Sequence, residues 1–164
     1  NHVSKEEILK AIKKLSRYIS SAFIIDSTHM MCHAGRISKR IQILCDTLLL
    51  HPVIVLRKSR MTVGSMEMGN FTHVAKSYIR KVLRDTRTID KRILFITYAG
   101  LDEGRLQRIQ DMVLQYCPFE RVYLQKASAA IASNCGPGSF GLLFMRLNDA
   151  ITSFPQTAKP DEAD

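Results

Sequence analysis

The Gly136-Pro137-Gly138 step restricts the backbone of this chain more narrowly than any other stretch. Glycine admits positive φ and lets another segment approach the main chain closely, while proline fixes its own φ and removes a donor. Apolar runs with strand character flank the step at residues 129–132 and 140–144, so the sequence predicts two strands joined by a turn. Ser133, Asn134 and Ser139 lie beside it. The segment reads in two ways: a plain turn between core strands, or a turn that presents amide and side-chain donors to an anionic head group.

The rest of the chain punctuates clearly. Ser4 with Glu7 forms a capping box, and Ile8, Ala11, Ile12 and Leu15 recur at helical spacing. Residues 23–26 form a short strand, and residues 27–35 a connection in which Met30 and Met31 fill gaps in a core. Ser38 caps a helix carrying Ile41, Leu44, Leu48 and Leu49, which must end by His51 because Pro52 disfavours helical geometry before it. Residues 52–58 and 61–68 read as a hairpin, with Met61, Val63, Ser65 and Glu67 on one side of the second strand. A helix runs from the Asn70 cap to about residue 87, residues 93–98 form a strand, and Asp102 caps a helix that Pro118 ends. Residues 121–125 add a strand before the two around the turn.

Crossover helices alternate here with direct hairpins. That mixture predicts an α/β fold, a two-layer mixed β-sheet with helices on one face, rather than a doubly wound parallel sheet. The other sheet face is then left to a ligand, a second domain or a second subunit. The 164 residues, 46% of them apolar, suffice for one core, so residues 1–154 are expected to be a single domain and residues 155–164 a disordered tail.

Several function classes lose support on the same grounds. The formal charge of +9 is dispersed except for Lys76, Arg80, Arg84 and Arg87, which fall on one helix face opposite Phe71, Val74, Tyr78 and Val82. That face is either simply solvated or a docking surface for an acidic partner. Trp is absent and no base-stacking motif occurs, which argues against a nucleic-acid partner. Apolar runs fall well short of a bilayer span and no leader pattern opens the sequence, so no membrane insertion and a cytoplasmic location are expected. Cys32, Cys45, Cys117 and Cys135 lack metal spacing and read as reduced, mostly buried thiols; no metal and no cofactor is expected. No nucleophile elbow or phosphate loop is present, and His29, His33 and His73 read as structural, so the chain is not expected to be an enzyme. Arg36, beside Gly35 at a helix start, offers a forked charged donor set suited to a carboxylate, although a surface ion pair would use it equally well.

Taken in order, Gly35-Arg36-Ile37-Ser38, the following helix, the strand opening at Pro52 and the terminal Gly136-Pro137-Gly138 resemble the C-terminal lobe of the DegV family of fatty-acid-binding proteins, over residues 1–147. The resemblance implies a non-catalytic carrier of a long-chain fatty acid that presents the acyl carboxylate to a fatty acid kinase subunit. It also implies ligand contacts from Gly35, Arg36, Asn134, Gly136, Pro137 and Gly138. Two departures stand out. Ala34 replaces the first glycine of the family's Gly-Gly-Arg-Ile-Ser, and Asn134 replaces the histidine of its His-Thr-Gly-Pro-Gly. Asn134 still donates a hydrogen bond but carries no charge, and loss of a charge-assisted bond would cost roughly 1–2 kcal/mol. The replacement leaves open a regulatory or protein-interaction lobe that no longer binds lipid. The sequence opens Asn1-His2-Val3 at a helix cap without an initiator methionine, and the resemblance covers one lobe of two; an N-terminal lobe that completes the site is therefore expected.

Overall fold

The computed structural model describes residues 3–57 and 60–147. Its elements are α1 (Lys5–Leu15), β1 (Ile19–Ile24), α2 (His29–His33), α3 (Lys39–Thr47), β2 (Leu50–Arg57), β3 (Arg60–Met68), α4 (Phe71–Val82), β4 (Ile89–Tyr98), α5 (Glu103–Tyr116), β5 (Arg121–Lys126), α6 (Ala129–Cys135) and β6 (Phe140–Arg146). The expected tail at residues 155–164 lies outside the described residues.

One six-stranded sheet runs in the order β3-β2-β1-β6-β4-β5. Only β4 and β5 are parallel, joined through α5; every other neighbouring pair is antiparallel. The fold is the mixed α/β sheet that the alternation of hairpins and crossovers requires. Insertion of β6 between β1 and β4 is what joins the two halves of the chain.

Side-chain alternation along the strands sorts the two faces. Ala22, Ile24, Val53, Leu94, Ile96, Phe140, Leu142 and Phe144 share one face with the inward residues of α4 and α5. Those helices contribute Val74, Ala75, Tyr78 and Ile79, and Leu106, Ile109 and Val113. The buried Tyr78 hydroxyl donates to Ala22 O (2.6 Å) and accepts from Leu142 N (3.1 Å), tying α4 to β1 and β6 where these two residues pair. On the opposite face a smaller cluster of Ile25, Ile54 and Cys135, with Phe23 and Met31, holds α2 and α6 against one end of the sheet.

The structure corrects several local expectations. The helix from the Asn70 cap ends at Val82 rather than near residue 87, which leaves Arg84 and Arg87 of the expected basic face outside it. Residues 129–135 form a helix, not a strand: Ala129, Ala130 and Ala132 are strong helix formers, Ser128 occupies the N-cap, and Gly136 at φ +76° stops the helix. The connection at residues 27–35 contains the short helix α2. Met61, Val63, Ser65 and Glu67 do not share a side. Ile54 pairs with Val63 and Val53 with Ser65, so Gly64 is an extra residue, a bulge that turns Ser65 and Glu67 toward α4 and leaves Met61 and Val63 on the open face. A Cβ at position 64 would stand 2.9 Å from Val55 Cγ1, which is why the bulge carries glycine.

Two helices turn their apolar stripes outward. In α3 the apolar residues Ile41, Leu44 and Leu48 are exposed, while Gln42 and Cys45 face inward. In α1 the capping box is present as expected, yet Ile8, Leu9 and Ile12 are about half exposed and no residue of the helix is buried. Both stripes are amphipathic in the expected way but point away from this sheet's core. Helix α3 also stops earlier than the proline requires, at Thr47, with Leu49 in the left-handed region at φ +49°.

Candidate functional site

Three loops meet at the end of the sheet where β1 and β4 finish and β6 begins. Ala99 N donates to Ser139 O (2.9 Å) and Gly138 N donates to Ala99 O (2.7 Å), which zips the exit of β4 to the entry of β6. Ser139 Oγ donates to Cys135 O (2.8 Å) and lies 3.4 Å from Asp26 N. Gly138 has φ +84°, and the Asp26 carboxylate occupies the space that a Cβ there would need. The carboxylate also stands 3.7 Å from His51 Nδ1.

These bonds change what the turn can offer. Gly136 N is taken by Ala132 O (2.8 Å), Gly138 N by Ala99 O, and Pro137 has no N–H. The expectation of free amide donors at the turn is therefore not met. Gly136, Pro137 and Gly138 contribute shape and close approach: a Cβ at position 136 would lie 3.0 Å from Met30 Cγ, and the space for one at Gly100 is occupied by Pro137.

That Met30 contact links the turn to the arginine loop. Helix α2, which carries Met30, closes with Ala34 N donating to Met30 O (2.9 Å), Gly35 N to Cys32 O (3.0 Å) and Arg36 N to Met31 O (2.8 Å). Gly35 adopts φ +66°, and the chain then passes through Arg36 to Ser38, whose hydroxyl caps α3 by accepting from Ile41 N. Arg36 is exposed, and among the described residues its side chain makes no hydrogen bond or ion pair. The Asn134 Nδ2 group donates to Ala130 O (2.8 Å) within α6, which leaves one of its two N–H bonds uncommitted.

Sequence reasoning missed Thr28. It sits in the loop between β1 and α2, is 2% exposed, and its Oγ1 is the single buried side-chain polar atom without a hydrogen-bond partner among the described residues. An orphaned buried hydroxyl costs about 1–3 kcal/mol, so it marks a place where the loop carries a donor not used in folding. No sequence signal separates it from the neighbouring Ser27.

Two histidines have polar partners within the fold. His29 lies 3.5 Å from Asp46 on the surface, and His51 is buried with its ring nitrogens 3.2 Å from Ile25 O and 3.1 Å from Gly69 O. Cys45, Cys117 and Cys135 are buried free thiols, with burial pushing each above the ordinary thiol range. No metal-binding cluster occurs among the described residues. No helix among them is long and apolar enough to cross a membrane.

From this end of the sheet an apolar surface extends along the face opposite α4 and α5. Phe23 and Leu143 are half-buried, and Ile19, Phe95 and Tyr123 are 51%, 39% and 43% exposed. Phe95 and Tyr123 stack across the parallel pair at 5.2 Å between ring centroids. The outward stripes of α1 and α3 add further exposed apolar side chains, and exposed apolar patches of this kind mark interaction or ligand surfaces.

The sequence model of the DegV family, described as uncharacterised proteins, matches residues 1–147. Among curated proteins none matches. Solved structures do. A DegV family protein from Eubacterium eligens loaded with heptadecanoic acid aligns with a TM-score of 0.72 at 19% identity, over 87% of this chain and 51% of its own. The fatty acid kinase B3 protein of Streptococcus pneumoniae, loaded with linoleic acid, aligns at 0.72 and 13% identity over 87% and 50%. A fatty-acid-binding DegV family protein from Thermus thermophilus aligns at 0.62 and 25% identity over 88% and 51%. The chain spans about half the length of each of these structures. Both the match to residues 1–147 and the shared sheet lead to one conclusion: the chain belongs to the DegV family.

Proposed function

We propose that this chain is a fatty-acid-binding lobe that holds an acyl carboxylate where the Arg36 loop meets the turn, with the acyl chain on the open apolar face of the sheet. The observation that carries the reading is Arg36: a permanently charged, forked donor, free of any internal partner among the described residues, on a loop whose helix packs against Gly136. Asn134 supplies its remaining N–H and Thr28 its unpartnered hydroxyl. Gly35 sets the path of the loop, and Gly136, Pro137 and Gly138 form the wall of the site. Arg36 is the charged donor of this group, in place of the titratable pair that an arginine with the family's histidine would make.

The lobe works as a carrier with no covalent step of its own. It presents the carboxylate to a fatty acid kinase subunit in the cytoplasm, and an N-terminal lobe covers the apolar stripes of α1 and α3 and closes the site. Structural relatives of which this chain spans about half, two of them loaded with a fatty acid, support that assignment. Extraction of the purified full-length protein with organic solvent, followed by mass spectrometry, tests it. C14 to C18 acids are expected, and their absence together with failure to take up added acid would contradict the reading.

A second reading rests on α1 and α3 themselves. Their exposed stripes also suit a lobe whose only task is to pair with another protein domain. In that case Arg36→Ala weakens domain association and leaves lipid retention unchanged, the reverse of the pattern expected here.

A further inference from the structure

The sheet is forked at the end far from the turn. Strand β1 pairs with β6 along all six residues from Ile19 to Ile24, but with β2 only through Ala22, Phe23 and Ile24. Strand β2 meanwhile stays paired with β3 out to Arg57. Among the described residues, Ser20 and Ser21 therefore have no ladder partner on the β2 side, and the two strands part in the middle of the sheet. A cavity of about 490 Å³ fills the fork, within the range of small-molecule sites.

Its inner wall is apolar: Ala22, Val53, Val55, Val82 and the Tyr78 ring. Its polar lining carries an unbalanced charge. Glu67 is satisfied from within, by Lys81, Ser77 and Ser65. Arg17 makes no hydrogen bond or ion pair among the described residues, and the Arg146 guanidinium donates only to the neutral Thr88 Oγ1 (3.0 Å) while lying over the Phe144 ring. Among the described residues, two guanidinium groups thus stand without a carboxylate at an apolar cleft.

The geometry points to a second binding site at this fork, for a short anionic amphiphile whose carboxylate or phosphate head meets Arg17 and Arg146 and whose hydrocarbon tail enters between β1 and β2. The site is separate from the one at the turn. Arg17 precedes β1 and Arg146 ends β6, whereas Asp26 follows β1 and Gly138 precedes β6, so the two lie at opposite ends of strands about 20 Å long.

Amide NMR of the full chain, titrated with octanoate, octyl phosphate, octylammonium and inorganic phosphate, tests the proposal. Octanoate and octyl phosphate are expected to shift the amides of Ser20, Ser21, Val55 and Leu56, and octylammonium to leave them in place. Arg17→Glu, a surface change, is expected to weaken octanoate binding at least fivefold. Val55→Phe, which fills the fork, is expected to abolish it. Unmoved fork amides, equal shifts with octylammonium, or full affinity in Arg17→Glu would each overturn the site. Equal shifts with inorganic phosphate would overturn the tail pocket, by showing that a free anion suffices. Palmitate shifts at Gly136 and Gly138, read on the same samples, report the turn site separately, so either reading can fail without the other.

Discussion

The carboxylate of Asp26 fills the space beside Gly138 that any side chain at that position would require. The contact joins the loop leaving β1 to the turn entering β6, and it makes residue 138 a glycine for two reasons, crowding and φ +84°. Gly138→Ala is expected to destabilise the chain by roughly 2–4 kcal/mol, the sum of a left-handed alanine and a displaced loop. Urea denaturation measures it.

Arg36→Ala is expected to change stability by less than about 0.5 kcal/mol, because the side chain is exposed and unpaired among the described residues. Retention of long-chain acid is expected to fall at least tenfold, the equivalent of about 1.4 kcal/mol. Isothermal titration of the full-length protein against palmitate, beside a denaturation curve, separates the two effects.

Thr28→Val removes a buried hydroxyl that has no partner among the described residues. A gain in unliganded stability of about 1 kcal/mol is expected, with weaker acid binding. A destabilised variant would show that the hydroxyl has a partner within the fold, and one that binds acid with full affinity that it has no part in the ligand site.

Glu67 yields a pH dependence of stability. Burial raises its pKa, but hydrogen bonds from Lys81, Ser77 and Ser65, together with the Lys81 charge, outweigh it and hold the carboxyl below its ordinary value. A carboxyl depressed in the folded state stabilises above its unfolded pKa and loses that contribution as pH falls through the folded one. Glu67→Gln is therefore expected to cost about 1–3 kcal/mol at pH 7, shrinking steadily below pH 4.5. Denaturation midpoints of both proteins from pH 7 to pH 3 check the sign.

Much of this architecture is legible in the sequence where one local signal decides the outcome. The Ser4–Glu7 box, the Asn70 and Asp102 caps and the apolar alternation around Leu94 and Ile96 all appear as expected. What escaped was decided by partners distant in sequence. Residues 129–135 carry alanines that tolerate either state, and contacts of Gly136 with Met30 and of Cys135 with Ile25 and Ile54 accompany the helical one. The Gly64 bulge depends on Val55, a cross-strand neighbour. For Ile41 and Leu44 the periodicity is correct, but it cannot say which of two surfaces the stripe meets.

Arg36 and the turn were singled out as candidates from their residue types, whereas the loss of free amides at Gly136 and Gly138 follows from Ala132 and Ala99, which nothing local connects to them. Thr28 was invisible because an unpartnered hydroxyl is defined by its surroundings alone.

Titration of the full-length protein with palmitate carrying ¹³C at the carboxyl carbon addresses the central claim most directly. The account predicts a bound carboxylate resonance distinct from free acid, accompanied by amide shifts at Gly35, Arg36 and Asn134, and loss of both in Arg36→Ala. A bound resonance that survives unchanged in Arg36→Ala, or no bound resonance at all, would contradict it.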